Sequence, residues 1–443
     1  MKPRLIPLAF PGRDADFDRQ LAILSTLLAA DADILKPITL GSSLPEAEAV
    51  VFPQVLGDAY RQLADFKTIP TPILFITSEF GTVSMWDWEI RSYLRTEGVE
   101  TIAPNNLEQA RLLCKALAVK RALRETKFLV YQENPGEGFQ ASIFKRFYWW
   151  EDECIQRMQE KFGLTVVKKS FRDLGTAAKE IPDRQAQAAW QSWQSRLEVG
   201  DISTPALLSA VKIYLAVKAE IEPDPAIQAV GINCLNESQF SDTTPCLAWA
   251  MLHEEIDLTW GCEADLVSML TMHLLHHAIG QTKDGNTPLM MTNLYPFLMG
   301  QAALKHERIP NFPPVEEPEN HILAAHCGYL GVLPRCYAAE WALRKKVLAI
   351  VDQNATAIDA RLPVGEITLA KLAPNFVKIM AVEGCLEGYA QYQDSDCLNG
   401  AVLRVPDGRK LVEELFSHHY VIMAGHRRGE IELLGKIFGL EMV

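Results

Sequence analysis

Short apolar runs alternate with amphipathic stretches through the first 280 or so residues, and this alternation constrains the fold more than any other feature. "RLIPLAFP", from Arg4, reads as a buried strand, and "DFDRQLAILSTLLAA" as a helix with apolar residues at 3.6 spacing. "AEAVVFPQV" and "TPILFITS" are further strands, separated by helical stretches. Strands that alternate with helices pair in parallel, because each helix carries the chain back across the sheet. The helical stretch 106–126, "NLEQARLLCKALAVKRALRET", leads into a new strand, "KFLVYQEN", and a second series begins there. It runs through a helix near 144–163, the strand "LTVVKKSF", helices to about 222 and the strand "AIQAVGINC".

After about residue 284 the pattern changes. "GEITLAKLAP", "KIMAVEGCLEGYAQ", "CLNGAVLRVP" and "HHYVIMAG" are short, β-rich and punctuated by Gly, Pro and Asp, which points to an antiparallel sheet or barrel. The predicted fold class is therefore α/β: two doubly wound, Rossmann-like parallel-sheet domains at 1–126 and 127–283, then a β-rich, barrel-like antiparallel domain at 284–443.

Charge and composition exclude several functions. A formal charge of -13, with no basic run beyond "LRKK" at 343–346, argues against a nucleic-acid partner, which would need a basic face. The short cluster reads as a solvated helix face. No stretch reaches the ~18 apolar residues of a membrane span, so no membrane partner is expected. The start turns acidic after one short strand, unlike a secretory leader, and the expected location is cytoplasmic. Nine cysteines without a CxxC fit free thiols better than a disulfide framework or structural zinc. "NPGEGF" at 134–139 fits neither phosphate-loop pattern. "SMWDWE" at 84–89 reads as a helix start with packed Trp residues, the alternative being an aromatic face for sugar stacking, and "FPPVEEPEN" as a surface loop.

All ten histidines lie between His253 and His426, so any imidazole chemistry belongs to the second half of the chain. His273, His276 and His277 ride the helix after Glu263 but lack the HExxH base, and read as structural or surface groups. More informative are "ILAAHCGYLG", with His326 at a strand end, "FSHHYVIMAGH", with His418 and His419 leading a strand, and "LTWGCEADLVSML", with Glu263 between a strand and a helix. An acid among Trp260, Cys262, Leu266 and Met269 needs a cation, a donor or solvent, or else it complements the helix dipole. If Glu263, His326 and His418 or His419 converge, they supply a carboxylate and imidazoles suited to Mn²⁺, Fe²⁺, Co²⁺ or Zn²⁺ rather than Ca²⁺.

The stretch "GINCLNESQFSDTTPCLAWAMLHEEIDLTWGCEADLVSMLTMHLL", with "ILAAHCGYLG" and the C-terminal "HHYVIMAGHRRGEIELLGKIFGLEMV", resembles the L-fucose isomerase and L-arabinose isomerase superfamily over residues 226–443. The resemblance implies metal-dependent aldose–ketose isomerisation of a small sugar, with Mn²⁺ the expected ion and a homo-oligomer, trimer or hexamer, as the assembly. It places Glu263 on the family's first metal-binding carboxylate, which is also the acid/base. His419 falls on the terminal imidazole ligand, with His418 as the alternate register, and His326 and His418 line the substrate. The second acidic ligand should stand in "TPLMMTNLYPF", which offers Asn293. An amide oxygen can hold a hard cation and contact substrate but takes no proton near neutral pH. Two readings follow: an isomerase with weaker metal binding, or a non-catalytic or divergent relative that binds a carbohydrate.

Overall fold

The computed structural model describes residues 1–55, 57–78, 80, 86–132, 142–233, 241–282, 285–287, 289–301, 311–325, 340–345, 354–390 and 400–443. "NPGEGF" and His326 lie outside the described residues. The chain divides into two compact units: one comprises Met1–Arg124, His277–Ile279 and Gly429–Leu440, the other Glu125–His276, Gly280–Arg428 and Glu441–Val443.

In the first unit, β1 (Arg4–Ala9), β2 (Asp33–Ile34), β3 (Ile38–Thr39), β4 (Ala49–Phe52), β5 (Ile73–Phe75) and β6 (Thr101–Ile102) form a parallel sheet ordered β2-β1-β4-β5-β6, with β3 beside the far end of β1. The expected runs "RLIPLAFP", "AEAVVFPQV" and "TPILFITS" supply β1, β4 and β5. The helix Ala15–Leu27 starts on Asp14, whose side chain accepts the Phe17 N–H at 2.8 Å. Asn106 caps the helix Leu107–Ala122 in the same way, through the Gln109 N–H. Phe10, Phe52, Phe66 and Phe75 form the aromatic centre of the core, with the Phe52 and Phe66 rings stacked 5.1 Å apart. The segment "SMWDWE" enters the helix Trp86–Thr96, but Trp88 is exposed rather than packed, because it falls on the solvent side of that helix.

The second unit opens with β7 (Lys127–Tyr131), β8 (Thr165–Lys169), β9 (Glu198–Val199), β10 (Ile227–Ile232) and β11 (Thr259–Cys262). Four of them form a second parallel sheet, β11-β10-β7-β8. Gly231 on β10 stands opposite Gly261 on β11, and together they make a notch for Met269 of the helix Leu266–Leu275. A Cβ at Gly231 would fall 2.8 Å from Met269 Sδ, and one at Gly261 would collide with Met269 Cγ. The two glycines thus let that helix lie close on the sheet.

The remaining strands are β12 (Gln281–Thr282), β13 (Gly285–Asn286), β14 (Leu289–Pro296), β15 (His321–Ala325), β16 (Glu340–Lys345), β17 (Thr356–Arg361), β18 (Gly365–Leu372), β19 (Lys378–Ala390), β20 (Gly400–Arg404), β21 (His419–Ala424) and β22 (Glu441–Met442). Six of them, in the order β18-β21-β14-β15-β20-β19, form an antiparallel barrel that closes through the β18–β19 pairing. Closure leaves no open edge among these strands. A separate small sheet, β17-β16-β9, contains "LRK" of the basic cluster, so Leu343, Arg344 and Lys345 lie on a strand rather than a helix. Leu343 is buried there, and pairing with β17 wins over a helical pattern too short to persist.

Candidate functional site

The turn between β11 and the helix Leu266–Leu275 is strained. Glu263 and Ala264 both hold left-handed backbone, with φ of 53° and 52°. Non-glycine residues in that region cost of order 1–3 kcal/mol each and persist only where the surroundings over-determine them. Here the surroundings do. Ala264 N–H donates to Ile232 O at 3.0 Å, and Ala264 O accepts the Trp150 indole N–H at 3.0 Å. Asp265 N–H donates to Cys262 O at 2.9 Å, and Leu266 N–H donates to Tyr148 O at 3.2 Å. The turn presents the nearly buried Glu263 carboxylate toward the barrel, where its Oε2 lies 4.0 Å from His419 Nε2.

His419 is the first residue of β21 and is fully buried. Its Nδ1 lies 2.9 Å from Asp265 Oδ2. Tyr148 stacks on its ring, with centroids 4.8 Å apart and planes within 6°. The phenol oxygen is 3.3 Å from His419 Nε2 and 3.2 Å from His418 Nε2. The two adjacent histidines are thus distinguished: His419 faces Glu263 and Asp265, while His418 reaches the same hydroxyl from just outside the strand.

Behind His419 sits a fully buried ion pair. Asp265 caps the helix Leu266–Leu275 by accepting the Ser268 N–H on Oδ1 at 2.9 Å. Its Oδ2 accepts the Ser268 hydroxyl at 2.7 Å and the Lys371 ammonium at 3.2 Å. Lys371, on β18, also donates to Ser268 Oγ at 2.5 Å. Burial opposes ionisation of Asp265, but the Lys371 charge and the hydrogen bond with His419 outweigh it and hold the carboxyl well below its ordinary range. Burial pulls Lys371 down against the attraction of Asp265, and pulls His419 down in the same way. Burial, reinforced by the charges of Glu263 and Asp265, pushes the Tyr148 phenol well up, so it is a proton donor at neutral pH.

Asn293, on β14, pairs directly with His419 across the antiparallel ladder, which puts both side chains on one face of the sheet. It is buried, and its Nδ2 donates to the Tyr295 hydroxyl at 3.1 Å. Its Oδ1 is buried without a hydrogen-bond partner among the described residues. A buried amide oxygen left in this way costs about 1–3 kcal/mol unless something else engages it.

Of the residues singled out in sequence, the structure brings Glu263, His419, His418 and Asn293 to one region. Tyr148, Asp265, Ser268 and Lys371 join them without having been expected there. Asp265 carried a signal, as an acid at a helix start; Lys371 in "TLAKLAP" and Tyr148 in "FKRFYWWE" carried none.

The other histidines make separate contacts. His273 Nδ1 lies 3.1 Å from Thr259 Oγ1, and His253 Nδ1 lies 3.1 Å from Leu258 O. His276 Nε2 lies 2.6 Å from Oδ1 of Asp257, a left-handed residue at the end of the helix Cys246–Ile256. His253, Thr259, Trp260, Met272, His276, Thr287 and Leu289 line a neighbouring cavity of about 10 Å³, room for a single water.

The five cysteines among the described residues are free thiols. No described helix is long and apolar enough to cross a membrane. The chain matches no protein-family model and no curated protein sequence.

Proposed function

We propose that the protein is a divalent-metal-dependent aldose–ketose isomerase of the L-fucose isomerase and L-arabinose isomerase type, acting on a small sugar. One observation carries the reading: Glu263 and His419, far apart in the chain, meet at 4.0 Å beside Asn293, whose amide oxygen has no hydrogen-bond partner among the described residues. A carboxylate oxygen, an imidazole nitrogen and an amide oxygen form a mixed donor set that fits Mn²⁺ or a related transition ion better than Ca²⁺. Glu263, His419 and Asn293 would hold the ion, with His418 on the substrate side; His326 keeps its proposed substrate role from the resemblance alone. In this reading the two parallel sheets are Rossmann-like and the assembly is a homo-oligomer, trimer or hexamer.

When bound, the ion supplies polarisation of the sugar carbonyl and charge stabilisation of the ene-diolate. The chain's own groups do the proton work. Glu263 takes the proton from C2 as the C1–C2 double bond forms and returns it to C1 as the carbonyl reforms at C2, while the C2 hydroxyl proton passes to O1. Tyr148, protonated at neutral pH, donates a hydrogen bond toward the same region and shares its hydroxyl with both histidines. The buried surroundings of His419 and Glu263 keep bulk water from the exchanging proton.

Asn293 favours a second reading, a carbohydrate-binding relative without turnover, because it cannot serve as the second base. Pentoses, hexoses and their phosphates assayed with Mn²⁺, Mg²⁺, Co²⁺ and Zn²⁺ separate the two. The isomerase reading expects ketose formation from at least one aldose, lost by ~10²-fold or more in Glu263→Gln. If an isomerase site has lost its base, Asn293→Asp tightens Mn²⁺ binding and raises turnover. Binding of a sugar without conversion in either protein establishes the second reading, and binding of neither sugar nor metal removes both.

A further inference from the structure

We propose that the buried Asp265–Lys371 pair is a positioning device that fixes the tautomer of His419, so that Nε2 presents a bare lone pair toward Glu263. The inference rests on the reading of His419 as a metal ligand only for its consequence; the tautomer itself follows from contacts within the chain. Asp265 Oδ2 receives the Lys371 ammonium at 3.2 Å and the Ser268 hydroxyl at 2.7 Å, while Oδ1 receives the Ser268 N–H at 2.9 Å. A carboxylate so surrounded by donors is an acceptor only. The 2.9 Å contact between His419 Nδ1 and Asp265 Oδ2 therefore requires the hydrogen on Nδ1. In the neutral ring Nε2 is then the acceptor, and it is the nitrogen that faces Glu263 at 4.0 Å and the Tyr148 hydroxyl at 3.3 Å.

Each part of the device has a reason to be where it is. Asp265 cannot swing away, because its other oxygen caps a helix on the parallel sheet side. His419 and Lys371 stand on β21 and β18, neighbouring strands of the barrel. The three side chains are fully buried, so solvent does not compete for the Nδ1 proton. Lys371 also donates to Ser268 Oγ, which turns the Ser268 hydroxyl hydrogen toward Asp265 rather than toward the lysine.

Asp265→Asn makes the inference testable, because an asparagine can keep the cap while reversing the polarity at His419. The cap needs an oxygen facing the Ser268 N–H, so the amide nitrogen must take the Oδ2 position. That nitrogen donates to His419 Nδ1, which must then be bare, and the hydrogen moves to Nε2. Asp265→Asn also leaves a buried ammonium facing an amide, so the paired variant Asp265→Asn/Lys371→Met is measured alongside it as the better-folded case.

The readout is the ¹⁵N shift pair of the His419 imidazole in metal-free protein, assigned by its loss in His419→Gln, together with the Mn²⁺ dissociation constant by calorimetry. The expected result is an Nδ1–H tautomer in the wild type and an Nε2–H tautomer in both variants, with Mn²⁺ affinity reduced about 10- to 100-fold. A merely structural role for the pair would leave the tautomer unchanged in the folded double variant. An Nε2–H tautomer in the wild type, or an unchanged tautomer in the variants, overturns the inference. If the wild type binds no Mn²⁺ but the tautomer reverses as described, the positioning role stands and the isomerase reading falls.

Discussion

Lys371→Met removes an ammonium from a fully buried site and leaves the Asp265 carboxylate behind. Both side chains are fully buried and 3.2 Å apart. Breaking one side of a buried ion pair typically costs about 3–5 kcal/mol, most of it the penalty of the stranded charge. Here the carboxylate keeps three donors, the Ser268 N–H, the Ser268 hydroxyl and His419 Nδ1–H. The methionine also retains most of the apolar stem. We therefore expect the lower end of the range, about 3 kcal/mol. In Asp265→Asn/Lys371→Met no charge is stranded, and the loss should shrink to about 1 kcal/mol. The sign of the pH dependence follows from Asp265, whose folded pKa lies below its unfolded value. Its contribution is fully present above the ordinary carboxylate range and is lost as pH falls through the depressed value, below about pH 4. Without Lys371 the depression is smaller, so the acid limb of the stability curve moves to higher pH. Equilibrium urea unfolding at pH 7 and at about pH 3, followed by circular dichroism and tryptophan fluorescence, measures both effects. A single variant within 1 kcal/mol of wild type, or a double variant as unstable as the single one, would refute the reasoning.

Two further substitutions probe the turn that carries Glu263. Glu263→Gly relieves left-handed backbone at φ 53° and removes a nearly buried carboxylate, so its unfolding free energy should rise by about 1 kcal/mol while Mn²⁺ binding by calorimetry disappears. A variant that loses stability shows that the turn is not strained. Gly261→Ala places a methyl against Met269 and should destabilise by about 1–3 kcal/mol, read from the urea midpoint; Gly261→Ala combined with Met269→Ala should lose less than the sum of the two single losses, and strict additivity would locate the strain elsewhere.

Local chemistry made much of the architecture legible. The buried runs that became β1, β4, β5, β7 and β10 are too apolar for a surface and too short for buried helices, so alternation with helices led directly to parallel sheets. The short strands beyond residue 284 announced an antiparallel sheet or barrel in the same way, although closure depends on β18 meeting β19 and on β14 reaching β21 across more than a hundred residues. "LRKK" misled because three or four residues have no period of their own, and the partner strand decides.

The site divides along the same line. Glu263, His418 and His419 could be picked out because an acid at a strand–helix joint and imidazoles at a strand start are unusual locally, whereas Asn293 was reached only through the family resemblance. Which of the two histidines faces Glu263 was a matter of strand register, a shift of one residue that exchanges the two faces, and only pairing of His419 with Asn293 settled it. Lys371 looks in sequence like any lysine between apolar neighbours. Its meaning comes from Asp265, 106 residues away, because a buried charge is tolerated only where the fold delivers its partner.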